Sequence, residues 1–365
     1  MAEARKLKFG VLEIGRGVAA SLVVLHHAGN IVAQPRFFDA VPFGGHLENF
    51  NVGIDFFFVL SGFIIAWVHW PDIGARARLG RYALKRFLRI YPPYWGVVLP
   101  LILLYALFPK AGIPSQHDPL NVVTSILLLP NTVQPVLGVA WTLTHEIFFY
   151  AVFGAVIVFG RPALWLLPIW GLAILAASGA GELPFPLSFV LSPFNLEFIM
   201  GVGAALLLRR RAMPAPWLLA VGGAGAFLAL TLFAVHIQEN PLLARLAFGG
   251  AAVAFVFGTV EIERRHPLRL APGLALFGAA SYAIYLVHPV ALSFLVQIAS
   301  HTLRLTAVPL EVVVIALAAL AGGAGLAYHR LVELPLARLA ARIVEATRAR
   351  CAKACLVTKR LADRS

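Results

Sequence analysis

The feature that most constrains this chain is a recurrence of apolar runs about 17–25 residues long, from near the N-terminus to about residue 328. Runs of that length match a bilayer core crossed as α-helix, where every backbone N–H and C=O finds its partner inside the segment. A transmembrane barrel would show weak alternation over about ten residues instead. Hydrophobic residues make up 60% of the chain and charged ones 13%. Soluble domains sit near half and a quarter. The expected fold class is all-α, a polytopic membrane helical bundle, with little left over for a separate soluble domain.

Ten spans are expected, at roughly 11–31, 51–70, 91–108, 140–159, 163–179, 189–208, 217–235, 242–260, 274–298 and 307–328. The apolar piece LNVVTSILLLP at 120–130 is too short to cross and reads as re-entrant or interfacial. With the N-terminus inside, the inside segments hold 25 Lys and Arg, whereas the outside loops hold only Arg36, Lys110 and Arg304. Positive loops stay cytoplasmic, so both termini are expected there. The net charge of +13 is then a topology signal; a nucleic-acid partner would explain the charge but not its alternation. Residues 1–330 read as one membrane domain and 331–365 as a basic cytoplasmic tail, an interfacial helix on anionic lipid. Cys351 and Cys355 in that tail form no disulfide framework. The basic start MAEARKLKFG resembles a signal-peptide n-region, but Glu13 and Arg16 interrupt the apolar run after it, so that run is expected to be retained as the first span.

Charged side chains in such segments are costly and face a bundle interior or a wet cavity, so each is a candidate. In the first span, EIGRGVAASLVVLHHAGN, eleven helical steps put Arg16 and His27 on one stripe about 16 Å apart, with His26 turned away. Glu13 is spaced to pair with Arg16. Glu146 in the fourth span and Asp55 in the second lie at depths like that of His27, so two carboxylates and an imidazole are expected in one layer near the outer surface. A carboxylate receiving an imidazole N–H is how a general base is assembled. The structural alternatives are interfacial histidines, Asp55 as a helix cap and Glu146 snorkelling to the interface.

Before the third span, RARLGRYALKRFLRIYPPYW sets Arg86 and Arg89 three apart, followed by Tyr91, a Pro92–Pro93 pair expected to start the helix, Tyr94 and Trp95. Paired guanidinium forks suit phosphate, and the aromatics suit stacking on a base; a topology determinant needs the charge but not the spacing. In the ninth span, GAASYAIYLVHPV puts Tyr282, Tyr285 and His288 on one broad face beside Ser281. That stripe can equally be packing, with His288 satisfying a carbonyl freed by Pro289.

Taken in order, RGVAASLVVLHH, GIDFFFVLSGFII, KRFLRIYPPYW, WTLTHEIFFY and SYAIYLVHPV resemble the acyltransferase-3 family of membrane O-acyltransferases over essentially the whole chain. Trp141, Glu146, Phe149 and Tyr150 match the fourth motif, with Thr142 where the family usually has serine, and Glu13 stands where Asp is common. The extracytoplasmic esterase-like domain of many relatives is not expected here, and the chain looks most like the branch that acetylates exopolysaccharides. The resemblance implies transfer of an acetyl or other acyl group from cytoplasmic acetyl-CoA to a hydroxyl of a glycan or glycolipid, in a bacterial inner membrane and without a metal. It implies Arg86, Arg89, Arg16 and Tyr94 for the donor, and His27 as general base or acyl carrier oriented by Glu146. Asp55, Ser61, Trp141, Tyr285, His288 and Ser281 are further candidates for the acceptor or for carbonyl polarisation. Two other classes use intramembrane His, Glu and Asp: a proton-coupled carrier or flippase, and a sensor without turnover.

Overall fold

The structure is a computed structural model that describes residues 9–268, 270–303 and 308–344. The described residues fold as an all-α bundle. Its helices are α1 (Gly10–Val32), α2 (Gly53–His69), α3 (Leu79–Leu107), α4 (Pro119–Leu127), α5 (Trp141–Phe159), α6 (Leu166–Ala177), α7 (Leu187–Val190), α8 (Phe194–Arg210), α9 (Pro216–Phe233), α10 (Pro241–Arg265), α11 (Pro272–Ala279), α12 (Ser281–Leu303) and α13 (Leu310–Tyr328). Among the described residues, nine helical segments are long and apolar enough to cross a membrane. The expected span at 163–179 forms a shorter helical stretch, Arg161–Ala177. Most of the tail, 345–365 with both cysteines, lies outside the described residues; 334–344 continue as helix.

Two helix pairs, α2 with α8 and α9 with α10, make the closest contacts, and α1 threads between α2, α11, α12 and α13. Apolar burial does not drive helices together when lipid is equally apolar, so close approach at small residues carries the packing. A Cβ at Gly62 would overlap the Phe198 carbonyl, and one at Gly201 would overlap the Val59 carbonyl, so α2 and α8 touch backbone to backbone. The start of α1 has no local side-chain cap. Its first two amides donate instead to Glu263 at the end of α10, Gly10 N to Oε2 at 2.8 Å and Val11 N to Oε1 at 2.7 Å. A carboxylate there answers both the orphan N–H groups and the positive end of the helix dipole.

The third helix departs from expectation. It starts at Leu79 and runs through Pro92, Pro93 and Pro100, so the proline pair lies inside it and Arg86 and Arg89 stand within its N-terminal part. Hydroxyls from neighbouring helices support this irregular stretch: Tyr282 donates to the Ile90 carbonyl at 3.0 Å and Tyr328 to that of Pro93 at 2.7 Å. The piece expected to be re-entrant or interfacial is α4, nine residues long and capped by Asp118, whose carboxylate accepts from Asn121 N. Its last carbonyls accept from α3: Tyr91 on Leu127, Tyr94 on Ser125 and the Trp95 indole on Ile126, at 2.8, 2.7 and 2.9 Å. The aromatics after the arginine pair therefore seat α4 rather than lie open for a base to stack on.

Candidate active site

A cavity of about 660 Å3 runs between α1, α2, α3, α5, α12 and the stretch after α13. Each helix presents one stripe to it. Thr142, Glu146 and Tyr150 are spaced by four along α5, Glu13 and Arg16 by three on α1, and Arg86 and Arg89 by three on α3. Ser61 of α2 and Tyr282 and Tyr285 of α12 complete the polar lining, with His329 and Glu333 beyond α13.

The three arginines differ in their partners. Arg16 makes no hydrogen bond or ion pair to the described residues; the pair with Glu13 expected from spacing does not form, although both residues line the cavity, as do Glu146 and Glu333. Arg86 approaches His69 Nε2 at 3.4 Å and stands 5.6 Å from the centre of the Tyr150 ring. His69 is itself held by Asp72 at 2.7 Å, a carboxylate shared with Arg78. Arg89 donates to Glu333 Oε1 at 3.0 Å, and His329 Nδ1 lies 2.6 Å from the other oxygen of that carboxylate.

The expected pairing of Glu146 with His27 does not form, and Asp55 lies apart from both. Glu146 accepts from Ser61 Oγ at 3.1 Å and from the Tyr150 hydroxyl, not from His27. Asp55 neither caps its helix nor lines the cavity: it is fully buried, 3.0 Å from Arg245 of α10. Arg245 reaches Gln238 with its other terminal nitrogen and lies over the Phe194 ring at 4.5 Å, with buried Glu197 alongside. A buried carboxylate that can reach a guanidinium takes it, because the unpaired charge is the costlier state.

His27 instead meets His288, the ring that Tyr285 leads to along α12. His27 Nδ1 lies 2.9 Å from the Val23 carbonyl and 3.3 Å from His288 Nε2, and His288 Nδ1 lies 3.2 Å from the Ile284 carbonyl. Carbonyl oxygens only accept, so both neutral rings carry their proton on Nδ1. His288 Nε2 then shares the one His27 Nδ1 proton with the Val23 carbonyl, as the longer arm of a three-centre bond, and His27 Nε2 keeps its lone pair, with no hydrogen bond to the described residues. His26 is fully engaged: Nδ1 faces the Leu47 carbonyl at 3.1 Å and Nε2 faces the Asn30 amide at 3.0 Å. The two histidines, turned to different sides of α1, thus differ in their bonding as well. His27 and His288 stand just past the cavity lining, where Tyr285 and Thr142 share a 2.9 Å hydroxyl contact.

Three other candidates lie off the cavity. Tyr94 is fully buried under α4. Trp141 packs on Phe58, His145 and Phe194. Ser281, at the start of α12, is buried with its Oγ unpartnered. Sequence reasoning missed His69, Asp72, His329 and Glu333. Their i, i+3 and i, i+4 spacings were readable, but the elements that bring them to Arg86 and Arg89 were not.

Residues 9–328 match the Acyltransferase domain of the acyltransferase-3 family. The chain is 32% identical over 272 residues to "Exopolysaccharide production protein ExoZ" of Rhizobium meliloti (strain 1021), covering 68% of this chain and 79% of that protein. It is 30% identical over 175 residues to "Protein 2 in picA locus" of Rhizobium radiobacter, covering 42% of this chain and 84% of that protein. No solved structure is a significant match. The match spans the helices that build the cavity and carries both the cavity arginines and the His27–His288 pair, and on that ground the chain belongs to the acyltransferase-3 family of membrane acyltransferases.

Proposed function

We propose that this protein moves an acetyl group from cytoplasmic acetyl-CoA to a hydroxyl of an exported glycan or glycolipid, an exopolysaccharide or its lipid-linked precursor. In this reading the chain crosses a bacterial inner membrane ten times, with Arg161–Ala177 as the short crossing and both termini in the cytoplasm. The basic end of the cavity, with Arg86 and Arg89, then opens to the cytoplasm and takes the donor's phosphates. Arg16, a cation with no hydrogen bond or ion pair to the described residues, suits an anion or a thioester oxygen that enters with the donor. The similarity to an exopolysaccharide production protein supports the acceptor class.

One observation carries the reading: His27 has its Nδ1 committed to a carbonyl and its Nε2 lone pair available. That nitrogen takes the proton of the acceptor hydroxyl as its oxygen attacks the thioester carbonyl. The carbon–sulfur bond then breaks, and the coenzyme leaves as thiolate and is protonated. Val23 and His288 orient the ring, the role expected of Glu146 from sequence; Glu146, held by Ser61 and Tyr150, serves the donor side. For the donor to reach the base, the Thr142–Tyr285 contact gives way when the pantetheine arm enters.

The test is transfer of label from acetyl-CoA to membrane glycolipid by the purified protein in vesicles. Transfer that disappears in His27→Ala and persists in His26→Ala is the expected result. An absence of transfer, or equal loss in both variants, refutes it, and a labelled enzyme trapped without acceptor replaces the general-base step with an acyl-histidine.

A further inference from the structure

Among the three arginines of the cavity, Arg89 alone is closed by a carboxylate. The pair is lopsided: the Arg89 side chain is 39% exposed, whereas that of Glu333 is 4% exposed. The buried partner is also doubly held, because its second oxygen lies 2.6 Å from Nδ1 of buried His329. His329–Glu333 is a π-helical turn, two residues ahead of Pro335. Proline cannot donate to the carbonyl four residues back and its ring crowds that carbonyl, and a widened turn relieves both. That turn aims His329 and Glu333 together at α3. Both residues lie beyond the family match, which ends at 328.

A carboxylate on Arg89 competes with every anion that enters. Losing Arg89 leaves Glu333 one bond, to His329, so displacement costs one charge-assisted bond that the incoming anion must more than replace. A phosphodiester exchanges one delocalised negative charge for another and gains little. A phosphomonoester dianion, or two linked phosphates, brings a second charge to a site where Arg86 stands one turn away.

Building on the acyl-CoA reading above, we infer that Glu333, seated by His329, is a specificity-determining residue: it reserves the cationic mouth for multiply charged phosphates and holds off the phosphodiester headgroups of the surrounding lipid.

The experiment measures binding of free coenzyme A to the full chain in phosphatidylcholine nanodiscs, with phosphatidylglycerol as competitor. In Glu333→Gln, coenzyme A should bind about tenfold more tightly, and phosphatidylglycerol should gain about tenfold more than that, so selectivity falls. Arg89→Gln should weaken coenzyme A, and Glu333→Gln added to it should change nothing further. Glu333→Asp, which keeps the charge and shortens its reach, should move binding the same way by less, and it serves where the glutamine variant fails to fold. Weaker binding in Glu333→Gln would make Glu333 a mere support for Arg89 and overturn the inference, as would unchanged selectivity. Wild-type protein that binds no coenzyme A would refute the donor reading itself, and this inference with it.

Discussion

Two regions of the bundle combine arginine with carboxylate, and they are built to opposite ends. Around Asp55, Arg245 and Glu197 every charged group is buried, and the guanidinium is answered by a carboxylate, a glutamine and an aromatic face. Around Arg16, Arg86 and Arg89 the groups line an open cavity, and only one of the three arginines has a carboxylate among the described residues. The first arrangement ties α2 to α10; the second leaves Arg16 and Arg86 without a carboxylate ion pair among the described residues. Charge inside an apolar helix therefore does not by itself mark a site: the Asp55–Arg245–Glu197 group packs helices together, with both Glu197 oxygens left without a hydrogen bond among the described residues.

Breaking each region should give opposite signatures. The largest effect is expected just past the cavity, where His27→Ala should lower turnover about 10^3-fold, the scale of general base catalysis, with stability falling by only about 1–2 kcal/mol as His288 loses its partner. Arg245→Met strands the buried Asp55 carboxylate and should cost about 3–5 kcal/mol of stability, read from denaturation of the detergent-solubilised protein. The comparison fails if Arg245→Met lowers activity without lowering stability. Gly62→Ala, which forces α2 from α8, should cost about 1–3 kcal/mol in the same assay. Arg16→Gln should lower kcat/KM by about 2 kcal/mol, near thirtyfold, with the melting point little changed, since that guanidinium makes no hydrogen bond or ion pair to the described residues. The smallest effect belongs to His26→Ala, within about 1 kcal/mol on activity, because its bonds go to Leu47 and Asn30.

Much of this was legible in the sequence. The apolar runs announced the helices, and the period of 3.6 placed Arg16 with His27 on α1 and Tyr282, Tyr285 and His288 on one face of α12. The partners were not legible. Asp55 and Glu146 are carboxylates that the sequence alone does not tell apart, yet one meets Arg245, 190 positions along the chain, and the other meets Ser61 and Tyr150. The start of α3 was misplaced because Pro92 and Pro93 read as a beginning, while tyrosines from α12 and α13 support the helix through them.

The sequence by itself determined that the chain is a bundle of apolar helices, because lipid-length hydrophobic runs leave the backbone no other way to satisfy its polar groups. It determined as well which side chains share a helical face. Only the tertiary structure decided which cation meets which anion and which is left open, since those choices depend on distances between helices far apart in the chain. His27 with His288, Arg89 with Glu333 and the open Arg16 result from the packing that brings α1, α3, α12 and the end of α13 around one cavity.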